Sequence, residues 1–231
     1  MILKHGDCHE LIKTVADNSI DFVYFDPPYG ITSCSWDISL EWEILWPQIW
    51  RVLKGNGAVA IHSSQPFTPD LINSQRKHFK YWWVWHKNKV TGFLNAHHQP
   101  LRNTEEICLF YKKQCTYNPQ MTDLDRHVFK QNVDTKRTFV KKLSLRGMKE
   151  YKGRFPKTLL EFNTKGTSES KSAELVAHIV RTYMNKNETL LDLTMHKGII
   201  GEAALREEMN YIGFEKDLDF FNKAQERLGE I

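Results

Sequence analysis

Cysteine is scarce in this chain, and long apolar runs are missing. Its four cysteines, Cys8, Cys34, Cys108 and Cys115, form no C-x-x-C pair among 231 residues, which argues against a zinc site or a disulfide framework. They read as reduced, mostly buried thiols. His97-His98 has no further ligand at a useful spacing, so no metal is assigned. No apolar stretch approaches the roughly 18 residues of a membrane span, and no membrane partner is expected. The start, Met1-Ile2-Leu3-Lys4-His5-Gly6-Asp7, has neither the basic segment nor the long apolar stretch of a secretory signal, so a cytoplasmic location is expected. Internal repeats and low-complexity segments are also missing.

What is present is the composition of a globular protein, 41% hydrophobic and 26% charged, over a length that suits one α/β domain. Short apolar runs alternate with amphipathic stretches. That alternation predicts a doubly wound, mostly parallel sheet with helices on both faces, in a single domain over residues 1–231. Strands are expected at 22–25, 58–62, 81–87, 106–111, 189–193 and 211–214, and helices at 41–53, 69–75 and 172–185. The last helix rests on Ala173, Val176, Ile179, Val180 and Tyr183 at helical spacing. Lys54-Gly55 is the expected stop of the first helix. Tyr81-Trp82-Trp83-Val84-Trp85 predicts a buried strand.

Charge is unevenly placed. Residues 126–157 hold 11 Lys or Arg against Asp134 and Glu150, leaving +9 there on a chain of total +4, so the remainder carries −5. The stretch 116–167 lacks a clear period, contains Asn118-Pro119, Gly147, Gly153, Pro156 and Gly166, and mixes aromatics such as Phe129, Phe139 and Tyr151 with its cations. It reads as an insert. A localised basic stretch with interleaved aromatics is the footprint of a nucleic-acid surface, with Arg137, Lys141, Lys142 and Arg146 as its candidate DNA contacts.

Asp26-Pro27-Pro28-Tyr29 follows the apolar run Phe22-Val23-Tyr24-Phe25, which puts a carboxylate at the carboxyl end of an expected strand. Ligands of open α/β sheets bind at such ends. Two prolines fix φ, remove two backbone donors and leave their carbonyls as acceptors. A carboxylate and free carbonyls can both accept from one exocyclic amine, and Tyr29 offers a flat face for its heterocycle. The combination suits an adenine.

Gly6-Asp7-Cys8, residues 26–30, Thr91-Gly92-Phe93-Leu94-Asn95-Ala96, Gln99-Pro100-Leu101-Arg102 and Glu106-Ile107-Cys108-Leu109-Phe110-Tyr111 together resemble the β class of DNA amino-methyltransferases, the N6-adenine or N4-cytosine group. The resemblance spans nearly the whole chain and implies a stand-alone bacterial or bacteriophage modification enzyme. By that resemblance Asp26 and the Pro27 carbonyl accept from the amine of a flipped base, Pro28 keeps the turn rigid, and Tyr29 stacks on the base. The implied cofactor is S-adenosylmethionine. It would be held by Asp7 and Cys8, by Lys171, by the loop residues Asp192, Thr194, His196, Lys197 and Gly198, and by Glu215 on ribose hydroxyls. Asn95 and Arg102 would face DNA over the target pocket. Members with Asp as the first motif residue are mostly N6-adenine enzymes. Homodimers are common in the class, and a methyltransferase partner subunit is the other expected association.

Two segments depart from the family pattern. After Asp192 the first loop glycine is replaced by His196, Lys197 follows, and Ile199-Ile200 stands where a hydroxyl pair is usual. If that glycine served a turn with positive φ, a side chain there costs roughly 1–3 kcal/mol, so a changed loop shape is expected. Upstream, Thr167-Ser168-Glu169-Ser170-Lys171-Ser172 keeps only the lysine of a His-Pro-Thr-Gln-Lys-Pro type sequence. Three readings therefore stay open at this point. They are a working N6-adenine methyltransferase, a catalytically silent DNA-binding homologue or partner subunit, and an enzyme using a negatively charged S-adenosylmethionine analogue with Lys197 or His196 as counter-ion.

Overall fold

In the computed structural model, residues 1–32, 34, 37–122, 153–164 and 171–231 are described. Their strands form one eight-stranded sheet: β1 (Ile2–His5), β2 (Ile20–Phe25), β3 (Leu53–Ser63), β4 (Phe79–Thr91), β5 (Arg102–Phe110), β6 (Leu159–Glu161), β7 (Thr189–Asp192) and β8 (Asn210–Glu215). The spatial order is β1-β8-β7-β2-β3-β5-β4-β6. β5 pairs antiparallel with both neighbours and every other pairing is parallel. The helices are α1 (Cys8–Leu11), α2 (Trp42–Val52), α3 (Phe67–Ser74), α4 (Ala173–Tyr183), α5 (Ile199–Arg206) and α6 (Leu218–Gly229).

β2 shows why the sheet needs two covers. Phe22 and Tyr24 point into a core with Ile179, Tyr183 and Ala204 of α4 and α5, whereas Val23 and Phe25 point into a second core with Leu45 and Ile49 of α2 and Leu71 of α3. Period-two alternation across a sheet buried on both faces gives the continuous apolar run Phe22-Val23-Tyr24-Phe25. β2 and β7 are adjacent, and from that pair the chain winds outward in opposite directions, to β3 on one side and to β8 on the other. This is the topological switch point, where a crevice opens at the carboxyl ends.

Four local expectations give way. α2 stops at Val52, because Leu53 is already extended at φ −76°, ψ 133°, and β3 begins there. Lys54 therefore does not close a helix; its ammonium reaches both Asp21 carboxylate oxygens at 2.8 Å. In β4, Trp83 and Trp85 are buried while Trp82 is 43% exposed, so the aromatic run is half-buried with strict alternation. β6, inside the stretch read as an insert, joins the sheet edge through Val84↔Leu159 and buries Leu160. Three residues are too few to show a period.

The chain divides into two compact units, Met1–Asn118 with Thr158–Ile231, and Pro119–Lys157, so the second unit is shorter at both ends than the expected insert. Within it Thr122 and Arg154 form an antiparallel bridge. Gly153 sits there at φ 114°, where a Cβ would come within 2.8 Å of the Thr122 carbonyl.

Candidate active site at the switch point

Four adjacent parallel strands, β1, β8, β7 and β2, each deliver a carboxylate at or just past their carboxyl ends: Asp7, Glu215, Asp192 and Asp26. Asp7 caps α1, accepting from the His9 amide and imidazole at 2.9 Å each, and its other oxygen meets the Lys216 ammonium at 3.0 Å. Burial opposes its ionisation, but Lys216 and His9 outweigh that and bring its pKa down to about 2. Glu215 accepts the His196 and Asp217 amides at 2.8 Å each. Asp192 is fully buried. Burial pushes its pKa up to about 8 despite hydrogen bonds from the Thr194 amide and the Tyr211 hydroxyl.

Asp26 lies at the exposed end of a chain of charge that runs into the protein. Its Oδ1 accepts from the Tyr29 hydroxyl at 2.9 Å and its Oδ2 is 3.1 Å from the Lys171 ammonium. Lys171 donates at 2.7 Å to Glu105, whose other oxygen takes the Lys87 ammonium at 2.7 Å. Lys87 and Lys171 are almost fully enclosed. Burial alone would lower the Lys171 pKa; Asp26 and Glu105 reverse this and hold it above the ordinary lysine value. Burial likewise opposes ionisation of Glu105, and the two ammonium groups bring its pKa down to about 2. Asp26 keeps a third of its side chain exposed. Pro27 is buried, and no described residue donates to its carbonyl. Tyr29 stacks on Phe67 with centroids 5.2 Å apart and an interplanar angle of 18°.

The loop after β7 is tied to this corner, since the Thr194 hydroxyl donates to the Asp26 carbonyl at 2.9 Å. His196 takes φ 49°, so a left-handed turn is present with a side chain in it, against the expectation that the loop would change shape to avoid one. Its ring lies on Phe220 at 4.0 Å between centroids, and Lys197 stands 5.6 Å over the same ring. Gly198 starts α5 at φ 78°. A Cβ on Gly213 would lie 2.7 Å from the Tyr211 ring, and that ring carries the hydroxyl that reaches Asp192.

The sequence profile N6_N4_Mtase, described as a DNA methylase, matches residues 20–226. The chain belongs to this family of DNA methylases. It is 28% identical to the type II methyltransferase M.HinfI of Haemophilus influenzae, over 100% of this chain and 68% of that protein. With M1.MboII of Moraxella bovis it shares 21% identity, over 97% and 95% of the two chains. Among solved structures, M1.HpyAVI superposes with a TM-score of 0.66 at 21% identity, covering 98% of each chain. The cytosine-N4-specific PvuII DNA methyltransferase does so with 0.71 at 13% identity, covering 97% of this chain and 85% of that one.

As a DNA methylase the chain acts on DNA with S-adenosylmethionine as cofactor. That cofactor presents an adenine amine, two ribose hydroxyls and an ammonium, all of them donors. Asp7 and Glu215 are an acceptor pair that fits its nucleoside, because each Glu215 oxygen has one lone pair left after its backbone bond. Asp192, expected to hold the cofactor, is instead fully buried behind them with its oxygens on the Thr194 amide and the Tyr211 hydroxyl. Asp7 and Glu215 would hold the nucleoside, with the backbone of residues 194–198 alongside. Cys8 contributes no thiolate, since its buried side chain has its pKa pushed up to about 12. Lys171, expected on the cofactor side, instead joins Asp26 to Glu105.

Asn95 is exposed in a 3-10 turn, and Arg102 donates to the Gln65 carbonyl at 2.7 Å while staying at the surface. Arg137, Lys141, Lys142 and Arg146 lie outside the described residues. Three residues of the site went unread in the sequence. Glu105 and Lys87 complete the charge chain, and Asp37 gathers the turn after the motif. Its carboxylate accepts the Gly30, Ile31 and Thr32 amides and the Thr32 hydroxyl at 2.7–2.9 Å. A carboxylate seven residues past Gly30 in a loop with Thr32 is a weak signal of such a turn. Among the described residues no helix is long and apolar enough to cross a membrane.

Proposed function

We propose that this DNA methylase transfers a methyl group to the N6 amine of an adenine extruded from duplex DNA. The observation that carries the proposal is the Asp26 corner: a carboxylate fixed by Tyr29 and Lys171, beside the unengaged Pro27 carbonyl, at the sheet's switch point. Each Asp26 oxygen uses one lone pair on the protein and keeps another. The corner can therefore take one amine proton on Asp26 and one on Pro27, which aims the nitrogen lone pair away from both. Bound S-adenosylmethionine supplies the electrophilic methyl. Orientation of the amine is the main contribution asked of the protein, and the Asp26 carboxylate stands ready for the proton that the nitrogen sheds after alkylation. Phe67 covers one face of Tyr29 and sets the plane of its ring, so the opposite face is the one that can hold the base, with the hydroxyl bond to Asp26 fixing where the ring lies. The aspartate that opens the motif supports adenine over cytosine, through its resemblance to N6 enzymes.

The test is to incubate the protein with S-adenosylmethionine and duplex DNA, digest, and weigh the nucleosides. N6-methyladenine is expected. N4-methylcytosine would reassign the base, and an added mass other than a methyl would point to an altered cofactor. No product together with no calorimetric cofactor binding would make the chain a silent homologue. Asp26→Ala is expected to abolish modification and leave DNA affinity nearly unchanged.

A further inference from the structure

The loop between β4 and β5 holds two apolar side chains in the open: Leu94 is 99% exposed and Phe93 66%. Covering such a side chain is worth about 1.5–3 kcal/mol, so a pair of them left in water at a turn suggests that something else covers them. The turn itself is built. Gly92 enters it at φ 92°, and the Asn95, Ala96 and His98 amides donate back to Gly92, Phe93 and Asn95 at 2.9–3.2 Å. Its base is closed by the pairing Thr91↔Arg102 and by the Arg102 bond to Gln65.

The place of this tip follows from the topology. β4 runs in the same direction as β2, so Thr91 ends at the edge of the sheet that carries Asp26. β3 and β5 stand between those two strands, three inter-strand steps or about 14 Å across the sheet at roughly 4.8 Å each. The register carries Thr91, opposite Arg102, six β5 residues beyond Cys108, the level of Phe25, so the tip rises about 20 Å above that edge. A duplex lying along that edge meets both. Lys89 and Arg102 flank the tip in sequence, the charge sign that phosphates need.

We propose that Phe93 and Leu94 form a wedge that enters the base stack of the substrate DNA and fills the gap left when the target nucleotide swings toward Asp26. This rests on the base-flipping chemistry proposed above. Proteins that kink or open DNA insert Phe or Leu between base steps, at an unstacking cost of a few kcal/mol that other contacts offset. Extrusion of a paired base faces the same cost, and it is smaller where the base has no partner. A wedge therefore matters most on a fully paired site.

The experiment compares the wild type with a Phe93→Ala/Leu94→Ala variant on two duplexes carrying the site that the wild type modifies, one fully matched and one with an abasic position opposite the target. Both side chains are exposed, so the variant should melt as the wild type does. Its single-turnover rate is expected to fall about 100-fold on the matched duplex and less than about threefold on the abasic one. Equal losses on both duplexes, or no loss, overturn the wedge. So does a wild-type dimer that the variant dissolves in sedimentation, which would make the tip a self-association surface. Should the wild type modify no DNA, the proposed function fails separately, and equilibrium binding of a matched and an abasic-containing duplex decides the wedge. A wild-type preference for the abasic duplex of at least about tenfold, reduced below about threefold in the variant, supports it. An equal preference in both proteins overturns it.

Discussion

Lys171 is the side chain on which the site's electrostatics turn. Among the described residues it is the one cation shared by Asp26 and Glu105, and Glu105 is too enclosed to rely on water. Lys171→Met leaves Glu105 with Lys87 alone and removes the anchor of Asp26 Oδ2. Breaking a buried pair by deleting one partner costs about 3–5 kcal/mol, and the surviving Lys87 places the expected loss at the low end of that range. Thermal melting should register that loss, and Lys171→Arg, which keeps the charge, should recover most of it. A single-turnover assay should show modification falling further than stability alone dictates, because Asp26 is then held by Tyr29 only; equal turnover by Lys171→Met and the wild type would remove the positioning role. Asp37 is the contrasting case. Its partners, the Gly30, Ile31 and Thr32 amides, are all exposed and can turn to water when it is lost. Asp37→Ala should shift stability by no more than about 1 kcal/mol, near the net worth of one hydrogen bond, while slowing modification through a loosened Tyr29 turn.

At the scale of elements, the end of β7 sets a pH dependence. Asp192 has its pKa raised from 3.8 to about 8 by burial, so the folded chain holds a proton that the unfolded chain releases. Its contribution is complete below pH 3.8 and declines as pH rises toward 8, because there the folded state binds more protons than the unfolded one. Asp7 and Glu105, both lowered to about 2, act in the opposite sense and weaken the fold as pH drops below their unfolded values. Subtracting the melting curves of Asp192→Asn from those of the wild type isolates the first effect: the wild type should lose ground to the variant steadily between pH 4 and 8. A flat difference would show that Asp192 is ionised throughout. The elements legible in the sequence were those marked by a compact apolar run, such as β2, β5, β7 and β8, or by an amphipathic repeat, such as α2 and α4. β6 was illegible because three residues at a sheet edge hold no repeat, and Lys54 was misread as a helix stop because it already belongs to β3, where its ammonium meets Asp21 on the neighbouring strand, a partner distant in sequence. The site divides along the same line. Asp26 to Tyr29 could be read because the motif is contiguous, but Lys171, Glu105 and Lys87 come from three separate segments and meet only in the folded chain. The left-handed His196 shows the limit of reading from residue type, since its backbone takes the turn that glycine would favour.

On the scale of the whole molecule, charge is divided between a mildly acidic majority carrying −5 and a stretch at residues 126–157 carrying +9. If that stretch is the phosphate-contacting surface, binding to DNA releases counter-ions in proportion to the contacts made there, and log affinity falls with log salt by about 0.9 for each phosphate neutralised. Lys141 and Lys142 lie outside the described residues, and the expectation for them rests on charge alone. Lys141→Gln/Lys142→Gln should weaken binding at low salt and lower the slope by up to about 1.8, with cofactor affinity unchanged. A matched control separates local contact from net charge. Lys13 and Lys186 are 51% and 66% exposed and precede the starts of β2 and β7, on the edge of the sheet opposite Asp26. Lys13→Gln/Lys186→Gln removes the same two charges where no DNA is expected, so its slope should match that of the wild type. Equal slopes in the two double variants would mean that the basic stretch acts only through the overall field, and the DNA contact would then have to be sought along the carboxyl edge itself.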